Sequence, residues 1–395
     1  MKISTKKIVA GIKRKLKFIV PKNSAYRPQG FYNTLLEYSE NEKESGADVK
    51  LIYKDYDLEL CLPDGLIDLF PFYYKPVLKS VQDYFIVEVP EGRIYSDNLF
   101  TVAIISSRNK LLGDISFQYS KSKLLQPDQG HIFKQTYFED LKEIDGTVFN
   151  LATGGGGTNN YMHFLFDGVT RIHLLKKSGI FDQVDYFYVP SLKYDFQRDI
   201  FKLLGIESSR LISAEDVSHL KARKIVASTF PRGNTEIIPP WAIEFYREEV
   251  LPKISGPNDY PELLYVSRSD SGIRNVSNEE EVFNLLEKKG FKSFILSKLP
   301  LMEKAKLFNK ASVVISTIGA GMGNVVFCKK DASVLEFFPP SYPLPHYADI
   351  SLKLGLNYHY LLGDSETNAK NLHQAQRDHL NIDLKKLEEK LAMIL

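Results

Sequence analysis

Residues 312–338 read SVVISTIGAGMGNVVFCKKDASVLEFF. Two apolar runs, SVVISTI (312–318) and SVLEFF (333–338), flank a glycine loop and a short apolar helical segment, VVFC. Apolar runs without alternation suit strands buried on both faces, as in a parallel sheet covered by helices. The sequence to either side extends the pattern. LLYVS (263–267) and FKSFIL (291–296) read as further strands, and PLMEKAKLFNKA (300–311) as a helix with Pro300 in its first turn. Ser277 and Glu280 have the spacing of a capping box, opening a helix that Gly290 closes. Half of a doubly wound α/β sheet is expected over 262–365. A helical segment is expected at 366–395, with Leu384, Leu387, Leu391 and Ile394 on one face.

Upstream the alternation continues, with a helix near 160–177, a strand DYFYVP (185–190), a helix near 193–204 and a strand KIVAST (224–229). Between 50 and 150 the runs are short, β-branched and aromatic: KLIYKDYDLELCL, YFIVEVP, GRIYSDNLFTVAII, LLGDISFQYS and GTVFNLAT. Separated by Pro, Gly, Asn and Asp, they read as strands and hairpins. Pro231, Gly233, Pro239, Pro240, Pro252, Gly256, Pro257 and Pro261 cluster around a short helical piece and place an interdomain connection at 236–261. The expected organisation is an arm at 1–22, an N-terminal domain at 23–235 that includes the β-rich segment 50–150, the connection, the C-terminal domain and its helical tail.

The chain has 395 residues, more than one hydrophobic core usually organises, which fits two domains with a cleft between them. Hydrophobic residues at 44% and charged residues at 25% exclude a disordered, collagenous or polytopic membrane protein. Fifty-one Lys and Arg against 49 Asp and Glu are too balanced for a surface built to grip nucleic acid, so no nucleic-acid partner is expected. The charge is unevenly placed. Residues 1–22 hold eight basic residues and no acid, which leaves 43 basic against 49 acidic residues and a net of −6 for the rest. Within that arm Ile8, Ile12, Leu16 and Ile19 recur at helical spacing opposite the lysines, a pattern that suits the headgroup layer of an anionic membrane; a frayed or core-docked terminal helix is the competing reading. Cys61 and Cys328 match no metal or redox spacing. No run approaches a membrane span, and the N-terminal stretch lacks the unbroken apolar core of a secretory signal. The expected location is cytoplasmic, with peripheral contact at the inner face of the plasma membrane.

Several residue groups carry chemistry. In the loop Gly319-Ala320-Gly321-Met322-Gly323-Asn324 the glycines let backbone N–H groups approach a phosphate, ahead of a helix N-terminus; a plain tight turn competes. The spacing fits neither the dinucleotide fingerprint nor the P-loop. Glu336, read as the end of the next strand, would accept hydrogen bonds from ribose hydroxyls, or stand solvated. Arg268 and Arg274 flank a polar strand-end loop, and their guanidinium forks suit diphosphate oxygens. In GGGGTNNYMHFLFDGVTRIHLL (154–175) helical spacing puts His163, Asp167 and Arg171 on one face with Asn160 a turn earlier. A His and a carboxylate so placed can serve as general base and orienting partner, or form an ordinary polar face. The preceding glycines leave space for a ligand's approach. Asp55 and Asp57 have a metal-binding spacing, but their strand-like setting favours a solvent-facing pair.

Together these residues resemble glycosyltransferase family 61, many members of which are capsular polysaccharide biosynthesis enzymes. The family's Asn-Tyr-x-His-x-Leu-x-Asp pattern with a following Arg matches Asn160, Tyr161, His163, Leu165, Asp167 and Arg171. Its Ser-Arg…Arg…Asn-Glu segment matches Ser267, Arg268, Arg274, Asn278 and Glu279. Its His-Gly-Ala-Gly-x-x-Asn loop is similar to Ile318–Asn324, with Ile318 in place of His, and its Val-Leu-Glu strand to Val334, Leu335 and Glu336. The resemblance implies a GT-B architecture of two facing Rossmann-like domains and an inverting transfer that needs no metal or other cofactor. A nucleotide-sugar donor, expected as UDP-linked, would be held by Arg268, Arg274, Gly319, Ala320, Gly321, Asn324 and Glu336. His163 and Asp167 would lie at the reaction centre with Asn160 and Arg171 in support, and the acceptor would be a hydroxyl of a surface glycan, free or lipid-linked. Ile318 leaves open a catalytically silent glycan- or nucleotide-binding subunit of a polysaccharide assembly complex. A nicotinamide oxidoreductase is disfavoured by the glycine spacing.

Overall fold

The structure is a computed structural model that describes residues 16–395 apart from Asn98, Lys121, Ser122, Glu366 and Asn368. By contact the chain divides into two units. The first comprises Met1–Tyr56, Gln82–Tyr194 and Ile206–Asn234, and the second Asp57–Val81, Asp195–Gly205 and Thr235–Leu395.

The second unit is built on a sheet of parallel strands in the order Lys292–Ile295, Leu263–Ser267, Val313–Thr317, Ser333–Phe338, Asn357–Leu362. Every residue of Val313–Thr317 and Ser333–Phe338 is buried, which is why these segments read as continuous apolar runs. On one face Tyr265, Ile315, Leu335 and Phe337 pack with Val282 and Leu286 of the helix Glu279–Lys288 and with Leu387 and Leu391 of the helix Leu384–Ile394. Each such side chain contributes about 1.5–3 kcal/mol by leaving water. Leu263–Ser267 lies beside both the strand that comes next in sequence and the one after that, so the chain reverses direction across the sheet at this point. In open α/β sheets the crevice outside the carboxyl ends of two such strands is where ligands bind.

Two local expectations change. The helix Glu279–Lys288 is preceded by Asn278, which makes no side-chain cap bond, and no capping box forms. Asn278 is committed elsewhere, donating from Nδ2 to the Ile382 carbonyl at 2.9 Å and accepting the Ile382 N–H at 2.9 Å, which ties the C-terminal segment to this loop. Gly290, at φ 93°, does end the helix. The stretch expected as a connection at 236–261 is packed structure. Pro240 stands at the first position of the helix Pro240–Phe245, and Trp241, Phe245, Tyr246 and Val250 are buried. Its prolines start the helix instead of loosening the chain.

The first unit holds a mixed sheet with His219–Ser228 at its centre. That strand runs parallel to Lys142–Asn150 and antiparallel to Lys79–Pro90 and Arg93–Ser96. Beyond Lys142–Asn150 the sheet continues in parallel through Tyr186–Val189 to Leu211–Ser213. On the other side Arg93–Ser96 leads antiparallel to Thr101–Ile105, which pairs with Lys110–Leu112 and with Phe117–Ser120. The β-rich segment thus joins the α/β strands around one core that includes Val87, Ile94, Ile104, Val148, Leu220 and Ile225.

The amphipathic pattern of the arm rests mainly on residues before Leu16, outside the described residues. The described end of the arm is fastened to the first unit: the Lys17 ammonium donates to the Tyr95 hydroxyl at 2.7 Å, and Lys22 pairs with Asp140 at 2.9 Å. Among the described residues no helix is long and apolar enough to cross a membrane.

Candidate active site

The helix expected over 160–177 is interrupted. Asn160 caps it, its Oδ1 accepting the His163 N–H at 3.2 Å, but Tyr161–His163 gives way to a π turn, Phe164–Val169, before the α-helix Arg171–Ser178. The Thr170 N–H donates to the Leu165 carbonyl at 3.2 Å, the five-residue step of a π turn. Such turns insert one residue into a helix and are frequent at functional sites. His163 and Asp167 still meet, with His163 Nδ1 2.7 Å from Asp167 Oδ2. Arg171 does not reach that carboxylate. Its Nε–H donates to the Asp167 backbone carbonyl at 2.9 Å, and its guanidinium lies 4.6 Å from the centre of the Phe230 ring. Arg171 is fully buried, Nη1 and Nη2 have no partner among the described residues, and burial lowers its pKa to about 10.

The cation on the carboxylate is Arg232, which the sequence did not single out. Its Nε–H donates to Asp167 Oδ1 at 2.6 Å and its Nη2 to Oδ2 at 2.8 Å, a two-point fork. Burial alone would raise the Asp167 pKa, but the Arg232 charge and the hydrogen bonds from His163 and Arg232 outweigh it and hold the carboxyl well below the usual carboxylate range. An ionised carboxylate accepts only, so His163 Nδ1 donates in the 2.7 Å contact, and Nε2 is the ring nitrogen outside the Arg232–Asp167 network. His163, Asp167 and Arg232 line a cavity of about 390 Å³ with Thr153, Phe230 and Tyr119 among the other walls. The glycine run before this helix is not open space. Gly154 has φ 68°, and a Cβ there would stand 2.3 Å from Phe117 Cδ1, so the ring of Phe117 occupies the volume a side chain would need.

The second cluster lies at the carboxyl ends of Leu263–Ser267 and Val313–Thr317. Arg268 donates from Nη2 to Ser271 Oγ at 2.7 Å and to the Ile273 carbonyl at 3.2 Å, while its buried Nε has no partner. Arg274 donates from Nε to the Ile318 carbonyl at 3.1 Å and from Nη1 to the Gln376 carbonyl at 2.7 Å, and lies over the Tyr342 ring. Its φ of 52° is left-handed, a cost on the order of 1 kcal/mol. Neither guanidinium forms an ion pair among the described residues. Burial and the charge of Arg274 lower the Arg268 pKa to about 10, and burial lowers that of Arg274.

The glycine loop meets these arginines in an unexpected way. A Cβ on Gly319 would stand 1.6 Å from Arg268 Nη1, and one on Gly321 would stand 2.8 Å from Leu296 Cδ1. The loop's small residues therefore admit the chain's own side chains. From Ala320 to Phe327 the backbone forms a run of 3₁₀ turns in place of the expected α-helix, so no full helix dipole points at the loop. Asn324 is buried and donates from Nδ2 to the Gly321 carbonyl at 2.7 Å. The Ile318 side chain is buried.

Glu336 was expected at a strand end. It stands inside Ser333–Phe338, fully buried, with Oε2 accepting the Tyr358 hydroxyl at 2.5 Å and Oε1 unpartnered. Burial pushes its pKa up to about 8, so the carboxyl is mostly neutral at pH 7. Asp55 and Asp57 are both exposed on the strand Asp48–Glu59. A cavity of about 600 Å³, with Tyr265, Ser267, Ser269, Phe283 and Phe294 among its walls, opens in the second unit by Leu263–Ser267 and Lys292–Ile295.

Comparison with known proteins bears on these clusters. The model of the family described as Glycosyltransferase 61 matches residues 161–335, a span that contains His163, Asp167, Arg232, Arg268, Arg274 and the glycine loop. A beta-1,2-xylosyltransferase, RCN11, of Oryza sativa subsp. japonica is 36% identical over 92 residues, which are 21% of this chain and 17% of the rice protein. The solved structure of a bacterial iron-containing dodecameric glycosyltransferase, TibC from enterotoxigenic E. coli H10407, aligns over 82% of this chain and 83% of its own. It does so at 11% identity and a TM-score of 0.28, too low to carry any argument. The family resemblance in the sequence motifs and the match of the family model coincide on one stretch, residues 161–335, over which this chain is similar to the glycosyltransferase 61 family.

Proposed function

We propose that this protein transfers a sugar from a nucleotide sugar, UDP-linked, to a hydroxyl of a cell-surface glycan, with inversion and without a metal. The observation that carries the reading is the chain Arg232–Asp167–His163 on the wall of a cavity, which leaves one imidazole nitrogen as proton acceptor. The proposal takes the GT-B division of labour, with the acceptor on the first unit and the donor on the second.

His163 Nε2 takes the proton of the acceptor hydroxyl as its oxygen forms a bond to the anomeric carbon. The bond from that carbon to the diphosphate oxygen breaks, and the diphosphate leaves with the electron pair. Asp167 fixes the imidazole and offsets the charge it gains. A carboxylate this far below its usual range is a weak base, and both its oxygens are engaged by Arg232 and His163. It is thus poorly placed to act as base or as a nucleophile for a two-step, retaining route. On the second unit Arg268 and Arg274, at the end of a parallel sheet, form no ion pair among the described residues, which favours an anion there. The diphosphate would supply that charge, and the guanidinium groups would offset its negative charge as it leaves.

The test is sugar transfer by purified protein across UDP-sugars and glycan acceptors, with the anomeric configuration of the product read by NMR. His163→Ala is expected to lose about 10²–10⁴-fold in turnover, the usual contribution of a positioned general base. Full transfer by His163→Ala would overturn the assignment. Binding of nucleotide sugar without release of nucleotide, across all acceptors, would favour the silent binding subunit.

A further inference from the structure

We infer that the cavity beside His163 is an acceptor subsite for an uncharged sugar ring that rests a C–H face on the aromatic wall built by Phe117 and Tyr119. The inference rests on the acceptor role given to the first unit above and goes further by naming the chemical class of the acceptor.

The wall is a built feature. Phe117 and Tyr119 are alternate residues of the strand Phe117–Ser120 and so share one face of it. Their rings are parallel, 5.7 Å apart with 13° between planes. The stack leans on Gly154, where any side chain would collide with Phe117. Phe100 and Phe230 add aromatic surface to the same cavity, while His163, Asp167, Arg232 and Thr153 supply polar groups. A largely apolar wall with a few convergent polar groups is the usual composition of a small-molecule site. A sugar ring presents the same division, with C–H groups on its faces and hydroxyls on its rim. A lipid chain or planar aromatic would leave the polar groups without partners.

The charge of the site narrows the class. Among the described residues lining the cavity there is no lysine, and the one arginine is held in a fork by Asp167. A uronic acid or phosphosugar would bring an anion beside an ionised carboxylate, and among the described lining residues the one guanidinium is already engaged by that carboxylate. A neutral hexose or pentose carries no such penalty. At about 390 Å³ the cavity suits a monosaccharide or disaccharide segment.

Ligand-observed NMR on the full chain, without donor, tests this with three probes: methyl β-xyloside, methyl β-galactoside and methyl β-glucuronide. At least one neutral glycoside is expected to bind, with the glucuronide at least tenfold weaker. Tyr119→Ala is expected to weaken the neutral glycoside about tenfold, or about 1.4 kcal/mol, and Tyr119→Phe to restore most of it. Tyr119 is the position of choice because Phe117 also supports the Gly154 turn. UDP affinity and melting temperature report whether each variant is folded. Equal or tighter binding of the glucuronide, unchanged binding by Tyr119→Ala, or no binding of either neutral glycoside would overturn the inference. Failure to turn over any UDP-sugar would instead strike the transfer reading, because glycoside binding is measured independently of it.

Discussion

Asp167, half-buried, and Glu336, fully buried, are two carboxyls of one chain with opposite fates. Asp167, in the first unit, has a guanidinium fork and an imidazole N–H on its oxygens and is held ionised. Glu336, in the second, has one tyrosine hydroxyl and an empty Oε1, and burial holds it mostly neutral at pH 7. The Asp167 site is therefore closed: the Arg232 fork answers the carboxylate charge, the Arg171 guanidinium lies buried against Phe230, and an oriented imidazole remains. The second is open. Its carboxyl does not neutralise Arg268 or Arg274, and among the described residues neither of these two partly desolvated cations forms an ion pair. Burying an unpaired charge costs several kcal/mol, and a site that keeps two is stabilised by an anion that supplies the missing charge.

The largest expected effect tests the open cluster. Arg268→Ala combined with Arg274→Ala should weaken UDP binding about 10²–10³-fold by calorimetry, since hydrogen bonds to charged groups are worth about 1.5–3 kcal/mol each. Without UDP the double variant should melt no lower than wild type by more than the cost of its lost local hydrogen bonds, because two uncompensated cations have also been removed. Unchanged UDP affinity would mean that the missing counter-charge is not a diphosphate.

A smaller effect tests the closed cluster. Arg232→Gln should lower turnover about 10–10²-fold while UDP affinity, proposed to rest on Arg268 and Arg274, stays within twofold. The pH profile separates orientation from simple misfolding. In wild type Asp167 stays ionised well below the usual carboxylate range, so its hold on His163 persists into acid; without Arg232 that hold should fail as pH falls toward the ordinary carboxylate value. Arg232→Lys keeps the charge but not the fork and should recover only part of the activity. A variant that loses activity equally at every pH would reduce Arg232 to a packing residue.

These two clusters were legible in the sequence to different depths. Val313–Thr317 and Ser333–Phe338 were readable because burial on both faces leaves an uninterrupted apolar run. His163 and Asp167 were readable because a spacing of four brings their side chains together just where the π turn begins. Arg171 was placed on their face by the same arithmetic, and the residue added by the π turn removed it. Arg232 stands 65 residues from Asp167, and only the pairing of His219–Ser228 with Lys142–Asn150 fixes where its loop lies. Its one sequence signal was an arginine between Pro231 and Gly233 just past a strand. The glycines at 154, 319 and 321 were visible as positions needing space, but what fills the space is Phe117, Arg268 and Leu296, and sequence spacing does not carry that.

The gentlest test falls on Glu336 and asks whether the difference between the two carboxyls is real. In the unfolded chain this group titrates near 4.5, and in the fold near 8. Below pH 4.5 both states hold the proton and burial of the neutral acid carries no charge penalty. As pH rises from 4.5 toward 8 the unfolded chain releases a proton that the native state retains, so unfolding becomes more favourable; above 8 both have released it and the deficit stays constant. Glu336→Gln keeps an oxygen to accept the Tyr358 hydroxyl and does not titrate. Its melting temperature relative to wild type should therefore climb between pH 5 and pH 8, by a margin on the order of 1–3 kcal/mol, or a few degrees for a unit of this size. A difference that is flat with pH would mean that Glu336 is ionised in the fold. The contrast between the two carboxyls would then collapse.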